Sequence, residues 1–279
     1  MIKSIVDNNE CLEAILDQDR NHRKLILTKE EFKYLKISTE LLQPFNVVTE
    51  KLSAENYSTI SLIIPSFCLL LNSMGNNLDE NEDDFKNEFK SILYNKIKFY
   101  VNKFQILNND VLAAATFVNP RTKKFSHATS EERKFLKSRA ENFIKSFFQK
   151  NKENLSDFSR QAKSSSEQHE NVLKLSDSSD DGFGSDGRFH SLKKEIRNYI
   201  NEPKPQDDMN AVEFRKLNSN KYPIVFSVFE YLFTIPATST PSERLFSKAG
   251  IQVWDRRNKI YPEKVEKIMF LFKNDKKLN

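Results

Sequence analysis

Glycine is the residue whose scarcity most constrains this chain, because only 5 occur in 279 positions. Three of them, Gly182, Gly184 and Gly187, fall within one short stretch, which leaves Gly75 and Gly250 for all the rest. The glycine-rich loops that cradle nucleotide phosphates are therefore excluded. Strand-rich sandwiches and barrels are disfavoured as well, because their tight turns call for residues with positive φ. The sequence predicts helices joined by polar loops.

Apolar residues recur at helical spacing through the first half of the chain. One segment opens on Thr28 with Glu31 three residues later, which is the sequence signature of a capping box. Residues 111–124 are apolar and then turn polar at Asn119-Pro120, which predicts a short buried helix followed by a turn. The other helices of this half are predicted at residues 2–16, 58–74 and 85–104 and from residue 130 onward.

Residues 151–189 break the helical pattern. Serine, aspartate and glycine dominate this stretch, apolar residues are rare, and acidic residues outnumber basic ones. A segment of this composition cannot bury enough apolar surface to offset the entropy of ordering, so a disordered linker is predicted.

A second helical region is predicted from residue 190 to the end. Pro223 to Phe233 is apolar almost all round, which predicts a buried central helix. Thr240 is suited to cap the start of the next helix and Gly250 to end it. A last helix is predicted from Pro262. The region has more apolar side chains than about 90 residues can bury alone, so some of them must meet residues 1–150 or a second chain.

The chain offers few groups for metal or redox chemistry. Neither Cys11 and Cys68 nor the four histidines have the spacing of a zinc site or of a disulfide framework, so no metal site is expected. The longest apolar segment, residues 60–71, is shorter than the roughly 20 residues that span a bilayer. We expect a soluble, intracellular protein with no membrane partner. Its net charge of +5 is compatible with nucleic acid without being evidence for it.

Residues 235–250 read IPATSTPSERLFSKAG, and the run Arg256-Arg257-Asn258 and a helix start at Pro262 follow in register. The whole stretch from Tyr222 to Asp275 resembles the C-terminal dimerisation region of hAT-superfamily transposases. Residues 41–65 are similar to the helical insertion of that family's catalytic domain. The segment AAATFVNPRTKK is similar to a later family segment of the form AxxLDPRxK, with Asn119 in place of the usual aspartate.

The resemblance implies an all-α fold in three parts. Residues 1–150 would form a helical region like the hAT insertion domain, and residues 151–189 a disordered linker. Residues 190–279 would form the dimerisation region, a helical remnant of an RNase H-like transposase domain. The family's catalytic site uses two aspartates and one glutamate to hold two divalent metals such as Mg²⁺, which clamp the attacking and leaving oxygens.

Glu243 stands at the position of the third catalytic carboxylate. The two aspartates precede the insertion in family members, and this sequence begins at what looks like the insertion itself, without a zinc-finger region. We therefore expect no catalysis and no cofactor for this chain alone. Glu243 is either a vestigial carboxylate or only the N-terminal cap of its helix, in a capping box with Thr240.

The leading hypothesis is a non-catalytic dimerisation module from a truncated or domesticated hAT transposase. It predicts a homodimer, or a hetero-oligomer with related transposase chains, located in the nucleus by resemblance and otherwise in the cytoplasm. No small-molecule substrate is expected. The candidate dimerisation residues are Phe226, Phe229, Leu232, Phe233, Phe246, Ile268, Leu271 and Phe272.

Two alternatives remain open from the sequence. The chain could be the C-terminal part of an active DDE-type transposase whose first exons are missing. It could also be a DNA-binding regulator in which Arg256, Arg257 and Lys259, beside Trp254, contact phosphates. The competing interpretation of that basic cluster is a solvated outer face with salt bridges.

Overall fold

The structure is a computed structural model that describes residues 2–18, 21–75, 83–151, 185–206, 209–252 and 260–278. Within these residues every regular element is a helix and no strand occurs, so the all-α prediction is confirmed. Most of the predicted linker, residues 152–184, lies outside the described part. The helix that follows begins at Ser185, inside the range assigned to the linker.

Seven α-helices and three short 3₁₀ turns account for the described part of residues 1–151. The capping box at Thr28 is confirmed, since its hydroxyl accepts from the backbone N–H of Glu31 and the Glu31 carboxylate accepts from the Thr28 N–H. The predicted first helix is in fact two helices that separate at Asn8. The α-helices are α1 Ile2–Asp7, α2 Asn9–Gln18, α3 Lys29–Leu52, α4 Ile63–Gly75, α5 Asp84–Lys103, α6 Asp110–Val118 and α7 Ser130–Lys150. The 3₁₀ turns are Arg23–Leu25, Ile60–Leu62 and Ile106–Asn108.

Five helices lie in the described part of the second half: α8 Ser185–Asn201, α9 Ala211–Asn218, α10 Pro223–Phe233, α11 Thr240–Gln252 and α12 Pro262–Leu278. The bounds predicted for α10 and the start predicted for α12 are confirmed. Two details of α11 were wrong. Thr240 is its first helical residue, so the capping position belongs to Ser239, and the helix continues past Gly250 to Gln252.

Helix α9 was not predicted, although its start signal is present in the sequence. The Asn210 side chain accepts from the backbone N–H groups of Val212 and Glu213, and the Glu213 carboxylate accepts from the Asn210 N–H. This is a capping box with asparagine at the first position. The helix places Phe214 in the core, where its ring meets that of Phe226.

One hydrophobic core joins the two halves of the chain. It extends from Val48 on α3 through the wholly buried helix segment Ala113–Val118 on α6 to Leu232 on α10. Tyr199 on α8 lies at the junction, with its ring against Phe117 at a centroid distance of 5.8 Å. Its hydroxyl donates to the Val118 carbonyl over 2.6 Å. The two helical regions are therefore docked within one chain.

The turn after α6 forms the polar part of this junction. Lys123 is only 2 % exposed, and its Nζ donates to the backbone carbonyl of Tyr199 over 2.7 Å while lying 4.6 Å from the Tyr199 ring centroid. Burial lowers the pKa of Lys123 to about 8. Arg121 donates to the carbonyls of Gln206 and Met209, which ties the turn to the segment between α8 and α9.

Candidate self-association surface

The predicted dimerisation residues on α10 lie in the interior of the chain. Phe226 is 2 % exposed, and Phe229 and Leu232 are also buried. Phe233 is half-buried and stacks on Phe229 with ring centroids 3.6 Å apart. These side chains are occupied by contacts within one molecule, so they do not present a surface to a second copy.

The predicted dimerisation residues on α11 and α12 lie on the outside. Phe246 on α11 is 73 % exposed, and Ile268, Leu271 and Phe272 on α12 are exposed as well, as is their neighbour Phe270. The structure therefore divides the eight candidates into an interior group and a surface group. Their part in dimerisation stays a prediction, which only the surface group can fulfil without unfolding.

Helices α11 and α12 are held to the rest of the chain by polar contacts at the loop after α3. Arg244 on α11 donates to the Ser53 carbonyl over 2.9 Å and lies 3.6 Å from the Glu55 carboxylate. Lys273 on α12 also pairs with Glu55. Hydrogen bonding from Lys273, with the nearby Arg244 charge, holds the pKa of Glu55 below its usual value. One carboxylate thus connects both helices to the loop.

The inner faces of the two helices are only partly covered. Leu245 and Ala249 on α11, and Val265 and Met269 on α12, are half-buried. Lys248 lies over the Phe272 ring, with its Nζ 4.0 Å from the centroid. Helices α11 and α12 therefore bury only part of their inner faces, and their outer faces carry the exposed apolar side chains.

Glu243 lies in the first turn of the same helix, α11, and is exposed. Its carboxylate accepts a hydrogen bond from the Ser239 hydroxyl, the residue just before the helix. Across the described residues no group of three His, Cys, Asp or Glu side chains is arranged to hold a metal ion. The hydrogen bond between Ser239 and Glu243 fits the capping role proposed for Glu243, with Ser239 rather than Thr240 as its partner. The other candidate cluster, Arg256, Arg257 and Lys259, lies outside the described residues and stays a prediction.

Glu195 on α8 makes a hydrogen bond to the start of α10 that the sequence pattern did not reveal. Its Oε1 accepts from the backbone N–H of Val225 over 2.8 Å, at the start of α10. The first N–H groups of a helix have no partner inside the helix, so this carboxyl supplies one from another element. Burial raises the pKa of Glu195 to about 7, although hydrogen bonds from Val225 and Ile224 act in the opposite direction.

This raised pKa predicts a pH-dependent stability. Between the ordinary pKa of 4.5 and about 7, the folded chain holds a proton on Glu195 that the unfolded chain has lost. That stabilisation is complete below pH 4.5 and disappears as the pH rises through 7. Glu195→Gln keeps an oxygen for Val225 but does not titrate. We expect it to match the parent near pH 4.5 and to exceed it by about 3 kcal/mol near pH 8, in urea unfolding.

Comparing the two proteins at each pH removes the contribution of other groups. Burial lowers the pKa of His127 to about 4, so His127 makes stability rise with pH over part of the same range. A constant stability difference between parent and Glu195→Gln from pH 4.5 to pH 8 would contradict the assignment.

Comparison with known families gives one match. Residues 195–274 match the family model described as the hAT family C-terminal dimerisation region. The match begins at Glu195 and includes α9 to α11 and most of α12. Among curated proteins no relative matches the chain. No helix in the described ranges is both long and apolar enough to cross a membrane.

Proposed function

We propose that this chain is a transposase-derived module whose function is to associate with a second copy of itself, because residues 195–274 match the hAT family C-terminal dimerisation region. The association surface is the outer face of α11 and α12. The module is non-catalytic on its own. Related transposase chains that carry the same region are the alternative partners.

The observation that carries this proposal is the exposure of several large apolar side chains on two adjacent helices. Scattered exposed apolar residues are normal on a protein surface. Here Phe246, Phe270 and Leu271 are each more than half exposed and lie on the last two helices of the family-matched region. Large apolar side chains exposed together on neighbouring helices are typical of interaction sites.

A second copy is the favoured occupant for two reasons. The matched family region is a dimerisation region, and a surface on one copy is available in the same form on the other. A two-fold dimer uses the same patch on both subunits, so one apolar surface is sufficient. The intramolecular core covers Val225, Phe226, Val228, Phe229 and Leu232 of α10, whereas Phe246, Phe270 and Leu271 of α11 and α12 are exposed.

The proposal is tested by the association of the full chain in sedimentation equilibrium. The parent is expected to be a dimer, and Leu271→Asp is expected to weaken dimerisation at least about tenfold, because it places a charge in the apolar contact. The monomer should keep its helical content, since Leu271 is 56 % exposed.

Leu217→Asp is the matched control, because Leu217 is 72 % exposed on α9, inside the family match but outside α11 and α12. It should dimerise like the parent. A parent chain that stays monomeric at all concentrations would contradict the proposal that the chain self-associates. Equal weakening by both variants would show that the surface lies elsewhere.

The non-catalytic part of the proposal is supported by Glu243, whose carboxylate is engaged by Ser239 at a helix start. Cleavage of DNA by the purified chain in the presence of Mg²⁺, with loss of cleavage in Glu243→Gln, would contradict it and favour the transposase alternative.

A further inference from the structure

Within the described residues, nothing around Gly250 requires a glycine. It lies inside α11, its φ is not in the left-handed region, and a Cβ added to it would meet nothing within 4 Å. Glycine weakens the interior of a helix relative to alanine. Gly75, by contrast, needs its missing side chain, because a Cβ there would lie 2.9 Å from the Tyr94 ring. The exposed Gly250 therefore suggests close approach by something outside the chain.

The face of α11 that contains Gly250 is uncharged except at its beginning. Helical spacing places Phe246, Ser247 and Gly250 together on the side opposite the half-buried Leu245 and Ala249. The basic residues of the helix are engaged elsewhere, since Arg244 is bonded to Ser53 and Lys248 lies over Phe272. The outward side of α11 therefore carries the large ring of Phe246 and, one helical turn later, Gly250, which has no side chain.

We propose that two copies of this chain pair through antiparallel α11 helices, with Phe246 of each copy packed over Gly250 of the other. This inference rests on the proposed function and adds to it the contact and its register. A ring and a gap four residues apart on one helix are self-complementary in an antiparallel pair. A two-fold axis midway between them brings each ring onto the opposite gap, so both contacts form at once.

The absence of a side chain at Gly250 determines how closely the helices can approach. Two helices pack nearer to each other where small residues lie at the contact, and Ser247 beside Gly250 adds a second small position. Phe246 then supplies the apolar area, which it exposes to water in the isolated chain. In the monomer Phe246 is 73 % exposed and a Cβ on Gly250 would meet nothing within 4 Å, so the tertiary packing of the described residues depends on neither position.

Size exchange at the two positions tests the register in the full chain by sedimentation equilibrium. Phe246→Ala removes the ring, and Gly250→Phe makes two rings collide, so each is expected to weaken dimerisation about tenfold or more. The double variant Phe246→Ala/Gly250→Phe restores one ring and one small residue to each contact. It is expected to recover to within about threefold of the parent.

Gly250→Ala gives a second, independent signature. The alanine strengthens the helix, so thermal unfolding of the monomer should shift upward, while the added methyl group should weaken dimerisation. If Gly250 lay outside the contact, the unfolding temperature would rise in the same way but dimerisation would stay unchanged.

The outcomes distinguish the proposed α11 register from the proposal that the chain self-associates. A dimeric parent whose affinity is unchanged in Gly250→Phe, or is not recovered in the double variant, overturns the α11 register and leaves self-association standing. A parent that is monomeric at every concentration overturns both. Recovery in the double variant with loss in each single variant establishes the antiparallel contact.

Discussion

Replacing Tyr199 with alanine is expected to destabilise both halves of the chain together, by about 4 kcal/mol. The ring is buried against Phe117 from α6 and against Tyr222 and Phe226, with centroid distances of 5.8, 5.2 and 6.0 Å. The substitution also removes the hydroxyl that donates to the Val118 carbonyl. The Tyr199 ring belongs to α8, whereas Phe117 lies on α6 and Phe226 on α10. Its loss therefore opens a cavity that is shared by both helical regions.

Hydrogen exchange during urea unfolding measures this effect. The amides of α6 and those of the buried part of α8 should lose protection at the same denaturant concentration, in the parent and in the variant. Tyr199→Phe is the control, since it keeps the ring and loses only one hydrogen bond, and it should cost about 1–2 kcal/mol. Two separate transitions, with α6 unaffected by Tyr199→Ala, would mean that the halves fold independently.

Phe226→Ala is expected to lower the free energy of unfolding by about 3–5 kcal/mol without a specific effect on the dimerisation constant. Phe226 is 2 % exposed and meets the rings of Tyr199, Phe214, Tyr222 and Phe229 edge to face, so its removal leaves a large cavity. Urea unfolding and sedimentation equilibrium of the same preparation separate stability from association.

Phe246→Ala is the matched comparison, because it removes the same side chain from a position that is 73 % exposed. Its unfolding free energy should change little, and its association should weaken. If Phe226→Ala instead folded normally and failed to dimerise, the result would show that α10 forms part of the dimer interface.

The sequence allowed helix positions to be predicted closely wherever the signal is local. The capping box at Thr28 and the proline that opens α10 depend on residues within one turn, and both were predicted correctly. At α11 the same kind of signal is ambiguous by one residue, since Ser239 and Thr240 are both suited to cap a helix. Gly250 was taken as a helix end because glycine commonly occupies that position.

The sequence left docking of the two halves open against contact with a second chain, because the contacts that decide it are distant in the chain. Lys123 donates to a carbonyl 76 positions away, and Arg244 to one 191 positions away. A buried lysine also contradicts the usual exposure of that residue type, so nothing local marks it. At the end of α5, the rings of Tyr100 and of Phe104, the residue after the helix, are both exposed and stack on each other.

The shared core determines which pieces of this protein can be studied in isolation. A fragment that begins near residue 190 would carry α10 without α6 and α7, whose side chains cover it in the intact chain. Such a fragment would have Val225, Phe226 and Phe229 in contact with water and would aggregate through its own interior. Its oligomers would then report the absence of residues 1–151 rather than a biological interface. The boundary of the sequence family and the boundary of the folding unit therefore do not coincide in this chain.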